Sequence, residues 1–367
     1  MNRKGVALIF VYMVIMVMTI TGAAFFARSF SENSSIRRYS DGARAFWIAE
    51  AGMAQGYSSW LASSGYTGGT TSFGGGSFTV TKIASAPQVS VTGTYGNAQR
   101  VLNGNFIRIP HPFENTLSVG GNLSLSGLLA RVEVYDKTRV SGTYSKSGGS
   151  DYFQDKQTGV NSDYTKIPVP DYNSNGTSDE FGDFVQFGRK AVQSYPANEV
   201  VYIQNNGTIL IYPNRDLIGK KVIFVEGASP GQGNVNILFD ATWGSGEDLT
   251  IISTGEITYI EPLQYPAEHS RLSTASWGDY NEASIFRSEH QSLIYTHDDA
   301  NFVDILDWGS TTGNIIANDN MSLLEVLTYE KYYYSDRAKN GDIPPGLQWL
   351  SGATGTPFLR DWREVIQ

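Results

Sequence analysis

Oxygen-bearing side chains occur on alternate residues at Asp171, Asn173 and Asn175, and Gly176 follows them. Oxygen ligands with this spacing can converge on a calcium ion, and the glycine permits the turn that brings them together. More oxygen atoms lie close by in the sequence, on the carbonyl of Thr177 and the carboxylates of Asp179, Glu180 and Asp183. The twelfth residue is Gly182, where a complete calcium loop has a bidentate Glu. The pattern therefore predicts a weak calcium site of the extracellular, millimolar class, with an ordinary Asn/Gly turn as the alternative.

The residues that most often perform catalysis are scarce in this chain. It has no cysteine and 4 histidines, and it contains neither Gly-x-Ser-x-Gly nor a glycine-rich phosphate loop. His297, Asp298 and Asp299 are adjacent, but a histidine beside carboxylates on a loop is typical of a solvated surface. Two carboxylates on a β-helix can hydrolyse a glycoside, yet the 36 Asp and Glu residues single out no pair. We predict that the protein is not an enzyme, and a membrane-anchored polysaccharide-active enzyme is the alternative.

A basic leader ending in Arg3, Lys4 and Gly5 runs directly into an uncharged segment from Val6 to Ala27, and Arg28 ends that segment. A helix of this length, at about 1.5 Å per residue, reaches about 33 Å, which is enough to cross a hydrocarbon core of about 30 Å. A secretory signal has a shorter apolar stretch and a cleavage site after it. We therefore expect this segment to remain on the protein as a membrane helix.

Two sequence features resemble those of a known family. Gly5 separates the charged leader from the apolar helix, as in the type III signal of type IV prepilins, and the sequence Ala-Arg-Ala-Phe-Trp-Ile-Ala-Glu-Ala-Gly, which ends in Ala49, Glu50, Ala51 and Gly52, is similar to the signature of PilX-like minor pilins. The resemblance implies cleavage between Gly5 and Val6 by prepilin peptidase, and methylation of the new amine on Val6. It also implies that the helix packs among other pilins after leaving the inner membrane. A signal anchor on an unrelated surface protein is the alternative.

Phe10 departs from the pattern of major pilins, which have a Glu at the fifth residue of the mature chain. In that family the carboxylate is thought to pair with the free amine of the next subunit, because a buried charge in an apolar bundle needs a partner. The tip pseudopilin of type II secretion shares this loss. The resemblance therefore implies a tip or priming role in a type IV pilus or a type II secretion-like filament, and sequence drift in a minor subunit is the alternative.

The composition indicates an exported, β-rich protein. Among 367 residues there are 39 glycines, 13% aromatic residues and only 17% charged residues, as expected for many strands joined by turns. Without cysteine, stability must come from hydrogen bonding, packing, an ion or neighbouring subunits. The formal net charge of -9 argues against nucleic acid as the partner, because phosphate binding needs a concentrated basic patch.

After the apolar segment, the periodicity predicts that the helix continues to about Ser63. A helix-spaced apolar stripe over this part is expected to pack on the following sheet; its members are Ile36, Ala43, Phe46, Trp47, Met53, Ala54, Tyr57, Trp60 and Leu61. Alternating runs at 78–83, 89–95 and 101–109 predict a small antiparallel sheet. We therefore divide the chain into a leader (1–5), a pilin-type helix (6–63), a small sheet (64–111) and a β-rich domain (112–367).

The β-rich domain shows regularly spaced short strands. Runs that start at Ile209, Val222, Val235 and Leu249 follow one another at a nearly constant step, which predicts a right-handed parallel β-helix in which each strand stacks on the turn below. A β-sandwich is the alternative. Tyr residues at 329 and 332–334, together with Trp349, are expected to cap one end. The overall prediction is an α+β chain that assists filament assembly, adhesion or both, and the alternative is a tip adhesin whose β-rich domain binds a surface or a glycan.

Overall fold

The computed structural model describes residues 3–63, 66–82, 88–213, 215–238, 247–260, 271–284, 289–305, 310–335, 337, 342–350 and 356–365. Parts of the predicted leader (1–2) and of the predicted small sheet (64–65 and 83–87) lie outside these residues. The chain forms two compact units. Unit 1 comprises Met1–Ala84, Gln88–Asn105 and Asp361–Gln367, and unit 2 comprises Ser85–Pro87 and Phe106–Arg360.

Two α-helices and a long series of strands make up the described residues. The helices are α1 (Arg3–Ala62) and α2 (Phe181–Gln193). The strands, numbered along the chain, are β1 (Gly68–Phe73), β2 (Gly76–Lys82), β3 (Gln88–Tyr95), β4 (Ala98–Ile109), β5 (Leu117–Val119), β6 (Leu123–Leu128), β7 (Arg131–Val140), β8 (Tyr144–Ser147), β9 (Ser150–Thr158), β10 (Val200–Gln204), β11 (Thr208–Ile211), β12 (Val222–Glu226), β13 (Asn234–Leu238), β14 (Asp248–Ser253), β15 (Ile257–Ile260), β16 (Arg271–Ser276), β17 (Tyr280–Ser284), β18 (Glu289–Thr296), β19 (Ala300–Ile305), β20 (Ser310–Ala317), β21 (Met321–Val326), β22 (Tyr329–Tyr334) and β23 (Thr356–Val365).

Unit 1 combines α1 with a five-stranded sheet in the order β1-β2-β3-β4-β23. The first four strands form antiparallel hairpins in sequence order, which confirms the predicted small sheet. The Gly/Ser/Thr-rich segment after the helix contributes an additional edge strand, β1. The C-terminal strand β23 joins this sheet beside β4, so the prediction that the tail ends the β-rich domain is wrong. A strand added beside β4 pairs backbone groups that would otherwise form an open sheet edge.

Unit 2 is a parallel β-helix built from two sheets. Even-numbered strands from β10 to β22 form one sheet together with β5, β7 and β9, and odd-numbered strands from β11 to β21 form the other with β6 and β8. The β-helix prediction is therefore confirmed, and the β-sandwich alternative is wrong. The nearly constant spacing between strand starts in the sequence corresponds to half a coil of the β-helix, because β12 pairs with β14 and β13 pairs with β15. Each strand stacks on the second strand along the chain rather than on the next one.

The β-helix is assembled from two segments of the chain that are distant in sequence. Strands β5–β9 are followed by α2, and the strands from β10 onward then wind back toward the first ones. The two segments meet where β21 pairs with β6, β20 with β5 and β22 with β7. The predicted aromatic end cap is therefore wrong, because β22 lies inside a sheet between β20 and β7. Tyr332 is part of the buried core, and the side chain of Trp349 lies outside the described residues.

Two apolar clusters hold unit 2 together. One fills the interior between the sheets with inward-facing residues such as Val235, Ile257 and Phe302. The other lies on the outer face of the larger sheet, where α2 and neighbouring segments cover residues such as Phe224 and Tyr295. The larger sheet is thus buried on both faces, which is typical of parallel sheets. The smaller sheet packs its inward face on the first cluster.

Candidate functional site

The N-terminal half of α1 is an exposed apolar helix. From Val11 to Ser40 every residue is exposed except Gly22, which is half-buried. Phe25, Phe26 and Phe30 are 71%, 65% and 74% exposed. This part contains an 18-residue window with a mean hydropathy of 1.7, none of which is buried. A helix that is apolar all round is normally buried, in a membrane or among other apolar side chains; the residues from Val11 to Ala27 have this character, and charged residues begin at Arg28.

The predicted processing residues lie at the start of this helix. Gly5, Val6 and Phe10 have helical backbone, and α1 extends without a break from Arg3. The structure does not describe the side chains of these three residues. Cleavage, methylation and the role of the missing carboxylate at Phe10 therefore stay predictions based on the sequence.

The C-terminal half of α1 packs on the small sheet through small residues. Ala49 is fully buried and Gly52 is buried, whereas Glu50 and Ala51 are half-buried. A Cβ at Gly52 would lie 2.7 Å from Phe78 Cγ and from Val91 Cγ1. The signature residues thus include the positions that let the sheet approach the helix.

The large apolar stripe predicted from the sequence is only partly correct. Met53 and Trp60 are buried, but Trp47 is 65% and Ile36 is 67% exposed. The face that contacts the sheet comprises Gly42, Ala45, Ile48, Ala49, Gly52, Met53, Gly56 and Trp60. Small residues recurring at spacings of three and four are the sequence signal for this face. A stripe defined by large side chains does not include them.

The predicted calcium loop forms a tight turn in which the side chains bind backbone N–H groups. Asp171 accepts hydrogen bonds from the N–H of Asn175 and of Gly176, at 3.2 and 2.8 Å. Asn173 Oδ1 accepts from the N–H of Asn175, and Asn175 Oδ1 accepts from the N–H of Thr177. These bonds are typical of Asx turns. The three side chains are brought together, and calcium binding by them stays a prediction.

Asp183 and Asp179, the other predicted ligands, have separate partners. Asp183 is fully buried at the start of α2, and its Oδ1 accepts from the N–H of Tyr172 and of Asn173, at 2.8 and 3.0 Å. Asp179 Oδ1 accepts from the N–H of Val169 at 2.9 Å. The two carboxylates anchor the loop and the helix start to adjacent backbone.

His297 binds Asp179 rather than the carboxylates next to it in sequence. Its Nε2 lies 3.2 Å from Asp179 Oδ1, and its ring stacks on Trp277 with centroids 3.8 Å apart. Burial by itself raises the pKa of Asp179, but the hydrogen bonds from His297 and from the Val169 N–H lower that pKa by more, so the net shift is downward. The expected solvated histidine is instead a contact between the 169–179 segment and the β-helix.

We predict that the Asp179–His297 contact stabilises the fold above about pH 4 and is lost in acid. A carboxyl whose pKa is lower in the folded state stabilises the protein above its unfolded pKa of about 3.9, and this contribution disappears as the pH falls through the folded pKa. The test compares the melting temperatures of the wild type and Asp179→Asn from pH 6 to pH 3, values that bracket about 3.9. The wild-type advantage should shrink toward pH 3; an advantage that is constant across this range would contradict the prediction.

Three other carboxylates meet at a corner of the β-helix. Asp279, Asp298 and Asp299 offer oxygen atoms that all lie within 4.8 Å of one another. Burial, followed by the neighbouring carboxylates, raises the pKa of both Asp279 and Asp298. Asp279 accepts a hydrogen bond from the N–H of Asp299, which in turn accepts one from the N–H of Asn320. The side chains of Asp279 and Asp299 thus each cap the backbone of the next coil, which gives two of the three carboxylates a structural role.

An ion pair attaches α2 to the β-helix. Arg189 donates from Nε and Nη2 to the two oxygens of Glu226 at 2.9 and 2.6 Å, and the Tyr202 hydroxyl donates to Glu226 at 2.7 Å. Burial alone raises the pKa of Glu226, but these bonds lower it more, so the carboxylate stays ionised. Bidentate pairs of this kind are among the stronger polar contacts in proteins. They position α2 over β12.

No protein-family model and no curated protein matches this sequence. Among solved structures, the competence-associated pilin ComZ from Thermus thermophilus is similar with a TM-score of 0.31 and 11% identity, over 89% of this chain and 98% of that one. An ice binding protein from an Antarctic Biological Consortium is similar with a TM-score of 0.27 and 12% identity, over 62% of this chain and 90% of that one. At these low values neither likeness identifies what this chain does, which must be argued from its own residues.

Proposed function

We propose that this protein is a pilin-like filament subunit, either of an extracellular type IV pilus or of a periplasmic type II secretion-like pseudopilus. The observation that carries the proposal is the division of α1, whose apolar N-terminal half is uncovered while its C-terminal half packs on a sheet. A single helix of this kind serves first as a membrane anchor and then as the packing surface between subunits. The β-helix would be displayed outside the filament core.

The proposal assigns a processing step to the start of the helix. Prepilin peptidase cuts between Gly5 and Val6, which removes Arg3 and Lys4, and the new amine of Val6 is methylated. The partners are the peptidase, the inner membrane before assembly, and other pilins along the apolar face afterwards. No enzymatic step is assigned to the chain, and calcium at Asp171 is an optional ligand.

We place the subunit at or near the filament tip, where it assists assembly. Phe10 stands where major pilins use a Glu to reach the subunit already in the filament, so this chain would lack that pairing. The size of unit 2, which runs from Phe106 to Arg360, also favours a rare position, since so large a domain would crowd a repeating helical array.

Mass spectrometry of the mature N-terminus in cells that possess prepilin peptidase tests the proposal. We expect the chain to begin with a methylated Val6, and we expect Gly5→Val to keep the leader. Gly22→Ala is the matched control, because a Cβ at Gly22 has nothing within 4 Å and lies far from the cut. A wild-type chain that begins at Met1, or that is cut after Ala27, would disprove the proposed processing.

A further inference from the structure

The outer face of the smaller sheet lacks charged side chains. In its described strands, β11, β13, β15, β17, β19, β21, β6 and β8, the charged residues are Glu282, Asp304, Glu325 and Lys146. All four lie in register with inward rows: Glu282 pairs with Phe302, Asp304 with Glu325, and Lys146 with Leu125. The three acidic residues are at most 5% exposed, whereas Lys146, on the edge strand β8, is exposed and donates to Asp151. Strands normally place charge toward water and apolar residues inward, so the polarity of these strands is reversed.

Two rows of outward side chains cross most of the smaller sheet. The first row consists of Leu210, Asn236, Thr258, Asn281, Asn301, Ser322, Ser124 and Ser145, and the second of Leu238, Ile260, Ala283, Val303, Leu324, Ser126 and Ser147. Successive members of a row are about 4.8 Å apart, since that is the distance between neighbouring strands. One row is therefore mainly amide and hydroxyl, and the other is mainly aliphatic.

The polar row is held in position by its own hydrogen bonds. Asn301 Nδ2 donates to Asn281 Oδ1 at 3.1 Å, and Ser322 Oγ donates to Asn301 Oδ1 at 2.7 Å. Each Asn keeps further donor and acceptor capacity, because an amide offers two N–H groups and a carbonyl oxygen with two lone pairs. The row thus presents ordered donors and acceptors without charge.

The aliphatic row stays accessible. Ile260 and Leu324 are each 41% exposed, and Leu210, in the first row, is 50% exposed. An uncharged face with exposed aliphatic residues, on a protein with a net charge of -9, is suited to an interaction with a partner. A charged partner would require opposite charges on the face, and the described rows have none. The complementary partner is neutral, rich in hydroxyl groups and regular along its length.

We propose that this face binds a neutral polysaccharide. Sugar rings offer hydroxyl groups at their edges and C–H groups on their faces, which match the amide and hydroxyl row and the aliphatic row respectively. A neutral polymer loses no charge hydration on binding, whereas the carboxylates of an acidic one would be desolvated without a cation to pair with. This binding does not depend on N-terminal processing, so it can be tested separately from the proposed filament role.

The test measures retention of the full chain, purified in detergent, on microcrystalline cellulose and on chitin particles. We expect wild-type protein to be retained on at least one of them and to pass alginate beads, which carry carboxylates. Thr258→Lys and Thr258→Glu should each weaken retention about tenfold, because a desolvated charge on the face costs more than about 1.4 kcal/mol. Thr258→Ser should bind like the wild type, since it keeps the hydroxyl.

Matched controls place the same charges elsewhere. Asn198 is exposed and lies outside these strands, so Asn198→Lys and Asn198→Glu should leave retention unchanged, and the melting temperature of every variant shows whether it is folded. If one of the two charged variants at Thr258 weakened retention and the other strengthened it, the ligand would be charged and the proposal would be overturned. Failure of the wild type to bind either polysaccharide would also overturn it, as would self-association on sedimentation that the Thr258 variants abolish.

Discussion

Gly93→Ala is expected to loosen the small sheet from α1 and to lower the free energy of unfolding of unit 1 by about 1–3 kcal/mol. A Cβ at this position would lie 2.3 Å from the carbonyl oxygen of Ala45, 2.5 Å from the N atom of Ala49 and 2.8 Å from Ala49 Cβ. The first two are backbone atoms of a helix and cannot rotate away as a side chain does. The added methyl group therefore has to push β3 away from the helix.

The same substitution at two glycines of α1 provides a graded comparison. Gly52→Ala meets buried side-chain atoms of Phe78 and Val91 rather than backbone atoms, and it gains about 1 kcal/mol of helix propensity, so its net cost should be smaller. Gly22→Ala meets nothing within 4 Å and should stabilise the helix.

Denaturant unfolding and amide hydrogen exchange of β3, measured on the full chain in detergent, provide the readout for all three variants. The expected order of stability is Gly22→Ala, wild type, Gly52→Ala and Gly93→Ala. Exchange in β3 that is equally slow in Gly93→Ala and in the wild type would show that the helix and sheet are not packed as described.

Phe184→Ala is expected to cost about 3–5 kcal/mol, the usual range for a buried phenylalanine. The Phe184 side chain is fully buried, and its ring lies 5.2 Å from that of Phe187 and 5.7 Å from that of Trp277. The position is sensitive because α2 connects β9 to β10, and a loosened α2 would expose the outer face of the larger sheet around Phe224.

Gln193→Ala is the matched control for this prediction. Gln193 is exposed on the same helix, so its replacement should change stability by less than about 0.5 kcal/mol. Hydrogen exchange should report faster opening of β10 and β12 in Phe184→Ala than in Gln193→Ala. Equal exchange in the two variants would mean that α2 does not support these strands.

The helix and the class of the β-rich domain were predictable because their signals are local. Charge-free residues from Val6 to Ala27 specify an apolar helix wherever they are placed. Alternation within a run such as Val235 to Leu238 specifies which side chains face inward, since neighbouring side chains of a strand point to opposite faces. The nearly constant step between strands was also sufficient to favour a β-helix, although it measured half a coil.

The pairing partners and the candidate sites were not predictable in the same way. Leu117 pairs with Ile315 and Leu123 pairs with Met321. The sequence of one parallel strand contains no pattern that identifies the strand with which it pairs. Asp179 lies beside His297, a contact between distant residues for which neither local sequence gives a signal, and calcium binding by Asp179 stays a prediction. A stripe of large apolar residues does not predict the packing face of α1. The small residues Ala45, Ala49 and Gly52 define that face because they let the sheet approach the helix closely, not because they are strongly hydrophobic.

The sequence by itself determined that a long apolar helix begins the chain, that strands follow it, and which side chains of each strand share a face. These properties depend on hydropathy and on the two- and 3.6-residue periods of the backbone. Tertiary structure alone decided which sheet each strand joins, where α2 and β23 dock, and that Glu282, Asp304 and Glu325 turn inward to leave an uncharged outer face. The reason is that strand pairing and burial join residues far apart in the chain, and their free energies depend on the assembled neighbours rather than on local sequence.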